Sequence, residues 1–366
     1  LKTLNVKIGK PAVRGKFAFC RNVSNNMSYF INQSLFFTLM NRSACLIFNP
    51  VAGQGDPEQE LAQIREILEP EIDLDIYMTT EEIGADKLAQ QAVERGVDAI
   101  IASGGDGTLS AAATAVISTN IPFGIISRGT ANAFATALGI PDTIAAACEN
   151  ILQGGTRSVD VAYCNDHPMV LLAGIGFEAE TVERADRDAK NRFGIMAYIL
   201  AGLQELRDLE HFDVEIETDD KIIKTSAVAV TVANAAPATS VLAQGPAGLI
   251  VDDGLLDLTI VASVNKAGAI AATFHLFQTA SAGIPVERND IGYLRSKQFK
   301  ITTEPPQKVV LDGELVGTTP IEIKCVPGGL TVFVPKNEEV VPVEKLEGLP
   351  NLTIEMKNTE DTPSDT

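Results

Sequence analysis

"VDAIIASGGDGTLSAAATAV", residues 97–116, is the stretch that decides the fold. An apolar run, Val97–Ala102, leads into a serine, two glycines, an aspartate, a third glycine and a threonine, and small helix-forming residues follow. An apolar run of this kind, interrupted only by Asp98, reads as a strand buried on both faces, which calls for a parallel sheet with helices on either side. In open α/β sheets, ligands sit beyond the carboxyl ends of the strands, and "GGDGT" falls there. Glycines allow close approach to the backbone, their N–H groups form a concave donor array, and the following helix offers its positive end. That combination suits phosphate oxygens, and an aspartate beside bound phosphates can hold magnesium. A tight turn is the competing reading, because Gly-Gly and Asp-Gly both favour turns. Neither GxGxxG nor GxxxxGK[ST] occurs in the chain.

Outward from this stretch the pattern alternates. "SACLIF" predicts a strand, the loop "NPVAGQG" (Asn49–Gly55) follows, and "DPEQELAQIREIL" predicts a helix, with Asp56 as N-cap, Pro57 in the first turn and Leu61, Ile64 and Leu68 at helical spacing. "LDIYM", "VDAIIA" and "PFGIIS" continue as strands, and "GADKLAQQAVERG", "LSAAATAVI" and "ANAFATALG" as helices. The expected fold class is therefore α/β, beginning with a doubly wound parallel domain. After about Gly155 short β-branched runs separated by Gly, Pro, Asn or Asp, among them "IIKTSAVAVTVAN", "IEIKCV" and "LTVFVP", each read as one strand, predict a second, mainly antiparallel β domain. One helical insertion, residues 178–206, interrupts it. The expected boundaries are a basic leader over 1–42, the α/β domain over 43–155, the β-rich domain over 156–335 and an acidic tail over 336–366. The leader has six basic residues and no acidic one up to Leu39, and Met40 stands just before the first convincing strand. It reads either as a targeting segment or as an extension upstream of a start at Met40.

Lys and Arg number 29 against 48 Asp and Glu, a formal net charge of −19. That charge opposes nonspecific binding to nucleic acid or to an anionic membrane surface. The five cysteines are scattered, with no CxxC, which excludes a disulfide framework or zinc ribbon and points to a reducing cytoplasm. No apolar run is long enough to predict a transmembrane segment.

Two more glycine-bearing loops flank "GGDGT" at the same sheet edge: "NPVAGQG", which brings Asn49, and "SRGTANAFA", which brings Gly129, Thr130 and Asn132. Thr130 and Asn132 offer a hydroxyl and an amide to a nucleotide, or they cap the helix that begins there.

Taken in order, "FNPVAG", "GGDGT", "GTANAFA", "VDVA" with "GIGFEAE", "DDGLLDLTIV" and "LDGE" followed by "VPGGLTVFVP" resemble the bacterial lipid kinases of the diacylglycerol kinase catalytic-domain family. The likeness runs from about Ser43 to Pro335. It implies ATP-dependent phosphorylation of a lipid hydroxyl, with the nucleotide in a cleft between the domains. It puts Thr80, Gly104, Gly105, Asp106, Gly107, Thr108, Leu109, Ser110 and Thr130 on the nucleotide, joined by Asn49, Gly129 and Asn132 from the flanking loops. The family's proton acceptor belongs to its "DGE" motif, so Glu314 is the expected base, with Asp312 as its partner and Asp106 as the carboxylate of the nucleotide side. A magnesium site maps onto Ile250, Asp253 and Leu255. The resemblance further implies a cytoplasmic enzyme that visits the membrane surface for its lipid; a homodimer is allowed.

Each C-terminal motif also reads as a hairpin turn, and "FGIMAYILAGL" (residues 193–203) reads either as an acyl-chain lining or as ordinary core. The chain departs from the family where "GGDGT" is followed by Ser110-Ala111 in place of Asn-Glu, and where "GTxND" ends in Ala133. These changes leave open a shifted substrate or nucleotide preference. They also leave open a catalytically silent nucleotide binder, and an NAD kinase-like enzyme shares the glycine loop. Retention of Asp106, Asp312 and Glu314 favours a working lipid kinase.

Overall fold

Alternate residues of the first strand, β1 (Arg42–Phe48), enter different cores. Cys45 and Ile47 face one side of the sheet, and Ala44, Leu46 and Phe48 the other. A strand needs two covered faces to tolerate that pattern. The cover comes from α1 (Pro57–Leu68) on one side and α2 (Ala85–Arg95) on the other. The Asp56 side chain accepts from Glu58 N at the start of α1, and Ile64 and Leu68 are fully buried against the sheet. Burial of such a side chain stabilises by about 1.5–3 kcal/mol.

The computed structural model describes residues 42–176, 211–237, 240, 243, 249–262, 268, 275 and 288–335. The basic leader up to residue 41, the helical insertion with its 193–203 stretch, and the acidic tail lie outside the described residues. All those described belong to one compact unit, Arg42–Thr366.

The strands β2 (Ile72–Met78), β3 (Ala99–Gly104) and β4 (Phe123–Ser127) complete the parallel part in the order β2-β1-β3-β4. The helix α3 (Asp106–Thr114) joins β3 to β4, and the short α4 (Ala133–Ala137) and α5 (Ile144–Gln153) follow β4. The next segments are antiparallel: β5 (Gly155–Cys164), β6 (His167–Met169), β7 (Leu172–Gly176), β8 (Phe212–Glu217), β9 (Ile222–Ala227), β10 (Ala229–Ala233) and β11 (Leu256–Val261). They are followed by β12 (Ile291–Ser296), β13 (Gln298–Glu304), β14 (Lys308–Leu311), β15 (Glu314–Thr318) and β16 (Ile321–Val334). One sheet runs β12-β11-β10-β7-β14-β15, and the other continues the parallel strands through β4-β16-β13-β8-β9, with β5 and β6 beside β16. Ile175, Val230, Leu258 and Val309 of the first pack against Phe212, Val214, Phe299 and Ile323 of the second, the core of a β sandwich.

The α/β fold with a parallel first domain and a mainly antiparallel second one is as expected from the sequence. Three details differ. "IIKTSAVAVTVAN" is two strands in different sheets, β9 and β10. "IEIKCV" and "LTVFVP" are one strand, β16, with a register shift between Val326 and Leu330. Its far end lies parallel to β4, Val332 opposite Phe123, so the last strand ties the sandwich to the first domain's sheet.

Candidate active site

The strands β1, β3 and β4 end side by side, and their loops begin in register: Asn49 N donates to Ser103 O (2.9 Å), and Arg128 N to Gly104 O (2.7 Å). Gly105 and Gly129 meet across this junction. A Cβ on Gly129 would lie 2.8 Å from Gly105 Cα and 3.0 Å from Asn132 Oδ1, so only glycine allows the two loops to touch. Gly105 is the N-cap of α3, and no side chain closes that helix end. A cleft of about 400 Å³ opens there, lined by Val51, Gly53, Gly105, Asp106, Gly129 and Thr130 among others.

Most of the residues expected on a nucleotide gather here. Asn49 Nδ2 donates to Thr108 Oγ1 (2.8 Å), tying the first loop to "GGDGT". Asp106 Oδ1 accepts from Phe134 N (3.1 Å), which ties "GGDGT" to the third loop. Burial raises the Asp106 pKa, against the backbone N–H groups of Phe134, Ala133 and Asn132. Gly107 and Thr130 are exposed, whereas Leu109 is fully buried and has only its backbone to offer. Thr80 lies past the end of β2, its hydroxyl accepting from Ile83 N (3.1 Å). Asn132 adopts a left-handed conformation (φ 47°) and makes no side-chain cap. Its Oδ1 and Ser110 Oγ are buried and have no partner among the described residues. Unmatched buried polar atoms and a glycine cradle that a Cβ would fill fit a bound nucleotide.

Sequence reasoning missed Arg128. It is 6 % exposed and stacks 3.9 Å from the centre of the Phe48 ring. Its Nε donates to Ser103 Oγ (2.9 Å), Nη1 to Ala52 O (3.1 Å) and to the Glu60 carboxylate, and Nη2 to Asn49 O. A charged residue directly after a buried strand and before a glycine was the available signal.

Asp312 and Gly313, with φ of 48° and 92°, form the two-residue turn between β14 and β15, the geometry of a type I′ hairpin. The turn is therefore both a hairpin and a site element. The Asp312 carboxylate accepts from Val170 N, Leu171 N and Leu172 N, each at 2.9 Å. Burial pushes its pKa up to about 6 against those three N–H groups, and the charge of Asp106 adds to the rise. The "GGDGT" and "LDGE" aspartates thus share one electrostatic environment. Glu314, the first residue of β15, is exposed opposite Leu311.

Asp160, from "VDVA", is 2 % exposed and holds two turns: Oδ2 accepts from Gly254 N (2.6 Å) and Oδ1 from Gly328 N (2.7 Å). The turn at Gly254 carries the expected magnesium residues. Asp253 Oδ1 accepts from Leu255 N (3.1 Å), and Oδ2 lies 2.5 Å from Arg295 Nη2. Arg295 Nε lies 3.0 Å from Asp257 Oδ1, so one guanidinium faces two carboxylates. Among the described residues no group of three or more His, Cys, Asp and Glu could hold a metal ion, so a hard cation at this turn would rest on Asp253 and on backbone carbonyls.

Residues 43–164 match the family model described as diacylglycerol kinase catalytic domain. Residues 172–334 match the YegS C-terminal NAD kinase beta sandwich-like domain. "Diacylglycerol kinase" of Bacillus subtilis is 29% identical over 81% of this chain and 98% of its own length. "Probable lipid kinase YegS-like" of Stenotrophomonas maltophilia is 30% identical over 72% of this chain and 87% of its own. "Uncharacterized protein sll0036" of Synechocystis is 49% identical over 79% and 70%. A crystal structure of a diacylglycerol kinase from Bacillus anthracis matches with a TM-score of 0.64 at 27% identity, covering 81% of this chain and 97% of that one. Both parts of the chain match in order, and it belongs to the diacylglycerol kinase and YegS-like family of lipid kinases.

Proposed function

We propose that this chain transfers the γ-phosphoryl group of ATP to a hydroxyl of diacylglycerol or a related long-chain lipid. One observation carries the reading: Phe134, which donates to Asp106 beside the glycine cradle, and Val170 and Leu171, which donate to Asp312 of the hairpin, belong to one buried core, and the charge of Asp106 adds to the rise of the Asp312 pKa. A phosphate-binding loop and an acceptor-side carboxylate at one place are what phosphoryl transfer needs.

In this reading the three glycine loops take the nucleotide, with Asn49, Gly104, Gly105, Thr108, Gly129 and Thr130 as contacts and Thr80 at the rim. Glu314 accepts the proton of the lipid hydroxyl as its oxygen bonds to the γ-phosphorus, the bond to the bridging oxygen breaks, and ADP leaves. A base needs accessible lone pairs. The Asp312 carboxylate already accepts three backbone N–H groups, whereas Glu314 is exposed. Asp312 then fixes the turn from which Glu314 reaches the acceptor. Magnesium, when bound, would neutralise phosphate charge; Asp106 is the candidate ligand on the nucleotide side, and Ile250, Asp253 and Leu255 would hold a second ion. No helix among the described residues is long and apolar enough to cross a membrane. In this reading the enzyme acts from the cytoplasm and meets its lipid at the membrane surface.

The test is incubation with γ-labelled ATP and magnesium, offering diacylglycerol in mixed micelles, NAD, or neither. Label extracted with the lipid, and lost in Glu314→Gln, is the expected result. Label on NAD, or on no acceptor, refutes the reading.

A further inference from the structure

Arg128 has no part in the chemistry described above, yet it is the most heavily bonded side chain at the cleft. A guanidinium is costly to remove from water, so a buried one requires matching groups on every side. Those groups come from separate segments: Ser103 at the end of β3, Glu60 on α1, the Phe48 ring of β1, and the carbonyls of Asn49 and Ala52. The two carbonyls belong to the loop that closes one wall of the cleft. Packing does not hold that loop, for Val51 at its tip is 89 % exposed. Its own bonds are few: Ala52 N to Asn49 O (3.2 Å) and Val51 N to Asn49 Oδ1 (3.1 Å). Gly53 follows with φ 93°, where a Cβ would lie 3.2 Å from Arg128 O. Both the side chain and the backbone of Arg128 thus shape the loop. Through Asn49 the same fork reaches Thr108 of "GGDGT".

We propose that Arg128, with its charge matched by Glu60, is a positioning residue: it holds the Asn49–Gly55 loop in the shape that takes the phosphates of a nucleoside triphosphate, and it sets nucleotide affinity rather than the rate of transfer. The proposal rests on the nucleotide reading of the cleft. The planar fork is essential to it, since an ammonium is a point charge and cannot reach acceptors spread over a plane.

The test compares wild type with Arg128→Met, Arg128→Lys and Glu60→Gln by calorimetric titration with magnesium-ATP, by steady-state kinetics and by amide hydrogen exchange without nucleotide. Arg128→Met is expected to raise the Kd and KM for ATP roughly 10-fold or more, the scale of a lost charge-assisted hydrogen bond, and to leave kcat at saturating ATP within about 2-fold. Arg128→Lys recovers part of the affinity, and Glu60→Gln, which keeps the fork on the carbonyls, raises Kd only a few-fold. Exchange at residues 49–55 speeds up in Arg128→Met. A folded Arg128→Met with wild-type Kd, or one that loses kcat at unchanged KM, overturns the proposal. If Arg128→Met does not fold, Arg128→Lys decides: a raised Kd supports the proposal, and a wild-type Kd overturns it whatever Glu60→Gln shows. Absence of ATP binding by wild type refutes the nucleotide reading instead, and the exchange measurement separates the two failures by reading the loop alone.

Discussion

Replacing Gly129 by alanine adds one methyl group where the two glycine loops touch. Its carbon would lie 2.8 Å from Gly105 Cα, with Asn132 Oδ1 at 3.0 Å. Carbon atoms in comfortable contact stand about 3.5–4.0 Å apart, so the loops must separate by about 1 Å at that point. They resist, because Arg128 N is bonded to Gly104 O at 2.7 Å on the same junction. Overpacking of this kind costs about 1–3 kcal/mol. The reciprocal change is a built-in control: a Cβ on Gly105 comes no closer than 3.6 Å to Gly129 Cα, an ordinary contact, and one on Gly107 meets nothing within 4 Å. Gly105→Ala and Gly107→Ala are therefore expected to stay within about 0.5 kcal/mol of wild type. Urea unfolding followed by circular dichroism measures all three, and ATP titration of the folded variants measures the cradle. Gly129→Ala should lose both stability and ATP affinity, since a displacement of about 1 Å near a site is worth up to about 10²-fold. Equal stability of Gly129→Ala and wild type, or an equal loss in Gly107→Ala, would refute the packing argument.

Other outcomes follow from the carboxylates. Asp312 titrates at about 6 in the fold, above the unfolded value of about 3.9. The stability it contributes is thus complete below about pH 4 and lost as the pH rises through about 6, about 3 kcal/mol in all. Between pH 4 and 7 wild type should lose about 2 kcal/mol relative to Asp312→Asn, and parallel pH profiles would contradict this. Glu314→Gln should lower lipid phosphorylation by about 10²- to 10⁴-fold with ATP affinity unchanged; turnover at the wild-type rate removes Glu314 as the base. Asp160→Ala strands the N–H groups of Gly254 and Gly328 and should cost about 2–4 kcal/mol in urea unfolding, whereas wild-type stability would mean that those turns hold without it.

The sequence alone determined most of the strand and helix alternation of the first domain, because its central strands are largely apolar runs and α1 has its own start signal, Asp56 before Pro57; it left the helix α5 (Ile144–Gln153) unread. It also brought the three glycine loops to one sheet edge, since a parallel doubly wound sheet leaves the loops after its strands nowhere else to go. Tertiary structure alone decided four further matters. β9 and β10 read as one β-branched run, but they part into different sheets because a two-layer core offers each strand a different partner. The last strand, β16, reaches back to pair with β4, a choice made by contacts between distant segments. Asp312 reads in the sequence as a turn residue; its raised pKa comes from burial, from the backbone of residues 170–172 and from Asp106, which only the assembled fold brings to it. Arg128 is the sharpest case: its partners Phe48, Asn49, Ala52, Glu60 and Ser103 lie on separate segments, and no local pattern in a sequence records which carbonyls a buried guanidinium will meet.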